Sequence, residues 1–169
     1  MPEIITLEDL LVHCIKDLHS AETQLVDALP KLAAAPTDPA LADAFANHLK
    51  ETKSHVIRLE QAAELLGASP HGVTCKGMEG LIAEGREILR MEVGTPLKDL
   101  ALTGAARKVE HYEIASYCAA KELAEACGNL EVVALLQTTE EEEKSAEKLL
   151  MALGARAVAG APSASNPIM

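Results

Sequence analysis

An all-α bundle of four long helices is the fold class this sequence predicts, and three observations carry that reading. Nearly half of the 169 residues are apolar, yet they include one Phe, two Tyr and no Trp. The apolar content is mainly Ala and Leu, which favours packed helices over sheets. Apolar residues recur at helical spacing through four long segments, and Pro and Gly punctuate the gaps between them.

The first long helix is expected to begin after Thr6, a cap with Asp9 at the third position, and Ile5 can staple onto Leu10. Its stripe runs Leu11, Ile15, Leu18, Leu25, Val26 and Leu29. Pro30 is expected to kink or end the ladder, because it removes an amide and crowds the preceding turn. Residues 35–39, Ala-Pro-Thr-Asp-Pro, read as a turn.

The second long helix takes Asp38 as cap and Pro39 in its first turn, and runs to Gly67. An irregular link, Ala68–Gly72, leads to a shorter helix from about Lys76 to Glu92, broken by Gly94. The third long helix is expected to open with Thr95 as cap and Pro96 in the first turn, and to close at Gly128. The fourth starts at Asn129 and ends near Gly154. One domain over residues 3–154 follows, with residues 155–169 as a flexible C-terminal tail of Ala, Pro, Ser and Gly.

Short links make each helix pair an antiparallel hairpin. The connection over residues 67–95 is long enough to cross the bundle, which is the arrangement of ferritin-like four-helix bundles, here with a short extra helix on the crossover.

The net charge is −11, with Lys and Arg scattered. No basic stripe exists, which argues against nucleic-acid or anionic-membrane partners. No apolar run approaches the ~20 residues that span a bilayer. The Met-Pro-Glu-Ile start lacks a secretory pattern. Cys14, Cys75, Cys118 and Cys127 form no C-x-x-C pair, so a reduced cytoplasmic setting is expected.

Carboxylates interrupt the apolar stripes. Glu113 lies within about 60° of Leu102, Ala106, Val109, Ala120 and Ala124 on the helical wheel, and Glu110 shares its face. Glu22 lies within about 40° of its own stripe, and Glu143 within about 60° of Val132, Leu136, Thr139, Ala146 and Leu150. The second long helix offers Glu51, flanked by His48 and His55, both of which lie nearer the stripe. Glu22 and Glu51 are 29 residues apart and Glu113 and Glu143 are 30, a pseudo-twofold pattern. Carboxylates converging in a core cannot all stay ionised without cations. Two divalent metals, iron or manganese, bridged by glutamates would resolve this. The rest of the Glu140–Glu143 run reads as solvated face, His13, His19 and His71 as surface or packing, and Tyr112 and Tyr117 as core hydrogen-bonding groups.

His19-Ser-Ala-Glu22, His48-Leu-Lys-Glu51-Thr, Cys75-Lys-Gly-Met78-Glu79, Lys108-Val-Glu110-His-Tyr-Glu113-Ile-Ala-Ser-Tyr117 and Glu142-Glu143-Lys144 resemble the YciE/YciF-like stress proteins. These form a branch of the ferritin-like superfamily near the rubrerythrins. The resemblance covers residues 3–153 and implies a homodimer with a di-metal centre. Rubrerythrins take one Glu from the first helix, E-x-x-H from the second, E-x-x-E from the third and E-x-x-H from the fourth. Glu22 matches the first, and Glu110 with Glu113 the third. The second and fourth depart, because Ser54 follows Glu51 by three and Ala146 follows Glu143 by three, with His55 and Glu147 one residue further. His48-x-x-Glu51 and Glu140-x-x-Glu143 can fill the same roles in reversed order. The ligand candidates are therefore Glu22, His48, Glu51, His55, Glu110, Glu113, Glu140, Glu143 and Glu147.

The expected function is a di-metal carboxylate protein of the stress response that reacts with oxygen or peroxide, an oxidase- or peroxidase-type oxidoreductase. No rubredoxin-like C-x-x-C module accompanies it, so the electron donor is unassigned. The competing expectation is a non-catalytic helical module whose inward glutamates are hydrogen-bonded or paired with Lys and Arg. Iron storage in a large shell has no support, because no ferritin-type fifth-helix pattern follows.

Overall fold

A computed structural model describes residues 4–162. Its elements are α1 (Leu7–Ala33), α2 (Pro39–Leu65), α3 (Lys76–Arg90), α4 (Leu97–Ala126) and α5 (Leu130–Gly160). Thr6 and Asp9 form the expected capping box at the start of α1, and the Asp38 side chain caps α2 by accepting from Ala40 N. Ile5 and Leu10 stay exposed, so a staple between them buries little. Gly67 and Gly128 adopt φ of 63° and 73°, the left-handed stops expected after α2 and α4.

Three boundaries differ from expectation. The first is that α1 runs on past Pro30 to Ala33, because Pro30 lies on the exposed side where water can take the carbonyl it strands. Thr95 does not cap α4: Pro96 is the cap residue, no side chain caps it, and Gly94 O accepts from Lys98 N instead. The largest difference is that α5 passes through Gly154 and ends at Gly160. Gly154 is a packing residue, since a Cβ there would sit 3.2 Å from Thr103 Cγ2 of α4. The extra turns carry Arg156 to the Asp38 carboxylate at the start of α2. Residues 155–160 of the expected tail are thus helical, and 163–169 lie outside the described residues.

The hairpins α1–α2 and α4–α5 pack side by side, with α2 against α5 and α1 against α4. Leu11 meets Ala124 in one cluster and Leu29 meets Val109 in another, so α1 and α4 are antiparallel. The crossover helix α3 lies over α1 and α4. The apolar core has one cluster at each end of the bundle, around Leu11, Ile15 and Leu136 and around Phe45, Leu102 and Leu150. A third sits under α3, around Leu25, Met78 and Ile82. Between the two end clusters lies a polar layer of buried His and Glu.

Asp99, in the first turn of α4, ties the hairpins together at one end. Its buried carboxylate accepts from Thr37 N at 3.0 Å, Thr37 Oγ1 at 2.7 Å and Asp38 N at 2.8 Å. Asp99→Ala strands these donors and is expected to cost about 2–4 kcal/mol, read by urea denaturation.

Candidate metal centre

Each long helix sends side chains into the polar layer. From α1 comes Glu22, from α2 His48 and His55, from α4 Glu110 and Glu113, and from α5 Glu143, and all six are buried. His48 and His55 are seven residues apart, two turns along one face of α2, with buried Thr52 between them. Thr52 donates to His48 O at 2.8 Å and so occupies itself with its own helix.

The donor atoms fall into two groups that share one residue. Glu22, His55 and Glu143 form the first; His48, Glu110, Glu113 and Glu143 form the second. Within each group one atom per residue lies within 4.8 Å of all the others. His55 Nδ1 is 2.9 Å from Glu143 Oε1 and 3.3 Å from Glu22 Oε1. His48 Nε2 is 3.5 Å from Glu110 Oε1 and 3.8 Å from Glu143 Oε2.

Hydrogen bonding does not satisfy these atoms. Glu22 Oε2, Glu110 Oε2, both oxygens of Glu113 and of Glu143, both nitrogens of His48, and His55 Nδ1 have no partner among the described residues. Even the 2.9 Å approach of His55 to Glu143 lacks hydrogen-bond geometry. Orphaned buried polar atoms are rare and each costs about 1–3 kcal/mol. So many in one layer fit a set of ligand lone pairs aimed at ions. Carboxylate oxygens and imidazoles suit iron, manganese or zinc. The four carboxylates also match the charge of two dications.

Electrostatics state the same problem for the metal-free form. Burial, then the Glu22 and Glu143 charges, push the Glu113 carboxyl well above its ordinary range. Glu110 is raised likewise by burial, with His48 opposing, and Glu22 by burial against its His55 contact. Glu143 goes the other way: burial is outweighed by His55 and His48, and its carboxyl is lowered. Burial alone would lower both imidazoles, but Glu110 and its neighbours lift His48 to about 9, and Glu143 and Glu22 lift His55 to about 10.

Outer contacts orient the inner donors. Tyr117, fully buried on α4, donates to Glu22 Oε1 at 2.5 Å and leaves Oε2 free. His55 Nε2 meets Glu142 Oε2 at 2.9 Å, and Arg58 grips the same carboxylate at 2.5 and 3.0 Å. A carboxylate on one imidazole nitrogen fixes the tautomer that leaves the other nitrogen as a ligand. Glu142→Gln is therefore expected to weaken metal affinity about 10–100-fold, read by competition with a chromophoric chelator.

Three expected ligands lie outside both groups. Glu51 is turned outward with its side chain 48% exposed, 3.7 Å from His48 Nδ1. His48 takes the inward place on α2 because it shares the face of His55, as Glu51 does not. Glu140 is buried but held by Lys121 and Lys144, each at 2.5 Å. Glu147 is held by Arg107 at 2.7 Å and His111 at 3.1 Å. In both, the neighbouring cations draw the carboxylate away from the layer. Sequence reasoning missed the supporting pair Arg58–Glu142, because only the fold brings α2 and α5 together. Cys75 and Met78 are core residues, while Glu79 is exposed and paired with Lys76. Cys75 Sγ lies 2.8 Å from Tyr112 Oη, and Tyr112 donates to Asp17.

A family model for a domain of unknown function, DUF892, matches residues 6–161. The chain belongs to the DUF892 family. Protein YciF of Escherichia coli is 42% identical over 143 residues, covering 84% of this chain and 86% of YciF. The crystal structure of that E. coli stress protein superposes with a TM-score of 0.89 at 40% identity, covering 92% of this chain and 98% of the other. YcfI of Rhodopseudomonas palustris gives 0.85 at 38% identity, covering 89% and 96%. Ferritin-like, diiron-carboxylate proteins of Bacillus anthracis give 0.69 at 17% identity, covering 89% and 99%, a likeness of fold. This DUF892 chain is thus a ferritin-like helical bundle whose buried His and Glu cluster has the composition of a metal site. Among its described residues no helix is long and apolar enough to cross a membrane.

Proposed function

We propose that this protein holds two divalent ions, iron or manganese, in the polar layer and uses them to reduce oxygen or peroxide. The observation that carries the reading is the set of buried, unpartnered donor atoms on Glu22, His48, His55, Glu110, Glu113 and Glu143. A bound pair of redox-active ions supplies electrons and open coordination positions for the oxidant. The chain's own residues do the rest. Glu143 belongs to both donor groups and spans the two positions. Tyr117 fixes Glu22, and the Arg58–Glu142 pair fixes His55. The apolar clusters close the layer off at both ends of the bundle.

YciF is described as a stress protein, and we extend a stress role, in the cytoplasm, to this chain; its four free cysteines agree with a reducing compartment. We also propose a homodimer, supported by Leu65 and Leu130, exposed at neighbouring ends of α2 and α5. The competing reading needs inward glutamates that are hydrogen-bonded or paired with Lys or Arg. Such pairing describes Glu140 and Glu147, but no Lys or Arg bonds to Glu22, Glu110, Glu113 or Glu143 among the described residues. Of these four only Glu22 accepts a hydrogen bond among the described residues, from Tyr117, with its Oε2 still unpartnered.

Elemental analysis after purification without chelator and anaerobic reconstitution tests the proposal. About two iron or manganese ions per chain, with peroxide consumption by the loaded protein, is the expected result. A folded protein that takes up neither metal would sink it.

A further inference from the structure

A cleft of about 220 Å³ opens between α2 and α5. Its lining includes His48, Glu51, Glu110 and Glu142, but neither Glu22 nor His55. The two donor groups are therefore not equivalent in access. The group around His48 and Glu110 borders the cleft, while the other lies deeper.

The carboxylates at the cleft also differ. Glu142 is gripped by Arg58 and His55. Glu51 makes no hydrogen bond among the described residues, and half of its side chain faces solvent. Its nearest polar neighbour is His48 Nδ1 at 3.7 Å. His48 is itself nine-tenths buried, and both of its ring nitrogens lack partners. A carboxylate at the mouth, without a hydrogen bond among the described residues, thus stands 3.7 Å from a buried imidazole within, and the next donor inward is Glu110, 3.5 Å from His48 Nε2. The volume admits a cation that still carries several waters. A chain of net charge −11 favours the approach of cations.

We propose that this cleft is the inlet for divalent cations to the buried centre. Glu51 receives the cation at the mouth and passes it to Glu110 and to His48, whose ring proton leaves to water as the cation binds. The inference rests on the two-metal reading, and gives Glu51 a kinetic role rather than a place in the final ligand set. Water is shed stepwise as carboxylate and imidazole replace it, so no step requires a bare ion in an apolar passage. The deep position, around Glu22 and His55, fills through the near one.

The test is stopped-flow mixing of metal-free protein with Co²⁺, followed by visible absorption, beside equilibrium titration. Glu51→Gln is expected to slow loading about tenfold at low ionic strength, with less effect in high salt, and to keep the wild-type stoichiometry. Ala146→Leu, which narrows the same cleft from α5, is expected to slow loading without touching a donor. Circular dichroism establishes that both variants fold. Wild-type loading rates in both variants, with two ions bound, would overturn the inlet alone. Slowing in Ala146→Leu only would overturn the role of Glu51. Loss of an ion at equilibrium in Glu51→Gln would make it a ligand and overturn the proposal. No Co²⁺ uptake by the wild-type protein would overturn the two-metal reading together with the inlet.

Discussion

Glu143→Gln is expected to empty one position of the centre and weaken the other, whereas Glu22→Gln should remove one ion and leave the other at full strength. Glu143 belongs to both donor groups, with one oxygen 2.9 Å from His55 Nδ1 and the other 3.8 Å from His48 Nε2. Glu22 belongs to one group, beside His55. Glutamine keeps the shape and removes the charge, so the loss reports ligation rather than a cavity. With Glu143 neutral, the deep position keeps one carboxylate and one imidazole, too few to exclude water from a dication, while the other keeps His48, Glu110 and Glu113 and binds more weakly. With Glu22 neutral, the position of His48, Glu110, Glu113 and Glu143 stays complete. Metal content after dialysis is expected to fall from two to at most one weakly held ion in Glu143→Gln, and from two to one ion held as in the wild type in Glu22→Gln. The same residual affinity in both variants would show that Glu143 is not shared between the two positions.

The second large effect is on stability and its pH dependence. Saturation at 100 times Kd stabilises by about 2.7 kcal/mol per site, so two sites raise Tm by about 10–20 °C in a domain of this size. The metal-free form has a defined pH trend. His48 and His55 are raised from 6.5 to about 9 and about 10, so the folded state binds protons that the unfolded chain releases. Their contribution is fully present below pH 6.5 and is lost as pH rises through 9 and 10. Glu22, Glu110 and Glu113 are raised too, and ionising them in the folded state opposes stability as pH climbs above the ordinary carboxylate range. Of the six inward groups only Glu143, which is lowered, gains stability with rising pH, and that gain is complete above the ordinary carboxylate range. In EDTA, therefore, Tm should fall between pH 5 and pH 9. With Mn²⁺ the gap between loaded and metal-free forms should widen over the same interval, because metal binding expels those protons. Calorimetric melting at a series of pH values checks both trends. A gap that narrows with rising pH would contradict protonated ligands in the metal-free centre.

Much of the bundle was legible because its signals are local. Thr6 with Asp9, Asp38 with Pro39, and Gly67 and Gly128 fix helix ends through backbone chemistry that sequence neighbours complete among themselves. The boundaries that moved depend on distant contacts. Gly154 reads as a stop until Thr103 is found packed against it, and α5 continues because Arg156 reaches Asp38. The centre divides in the same way. Glu22, Glu113 and Glu143 stand at the middle of apolar stripes, so the wheel alone turns them inward, and Glu110 follows by sharing a face with Glu113. Wheel position also favoured His48 and His55 over Glu51, and the buried histidines agree with the wheel rather than with the family spacing.

The sequence by itself determined an all-α bundle, its two hairpins, and the helix faces that carry acid into the core. Helical periodicity assigns a side chain to a face, and that assignment needs no partner. Tertiary structure alone decided which acids remain unpaired. Glu140, buried and three residues from Glu143, is neutralised by Lys121 of α4 together with Lys144 one turn along its own helix, and Glu147 by Arg107 of α4. Among the described residues, no Lys or Arg bonds to Glu113 or Glu143. Whether a buried carboxylate becomes a ligand or half of an ion pair depends on what the neighbouring helix brings within a few ångströms, and that distance is a property of packing.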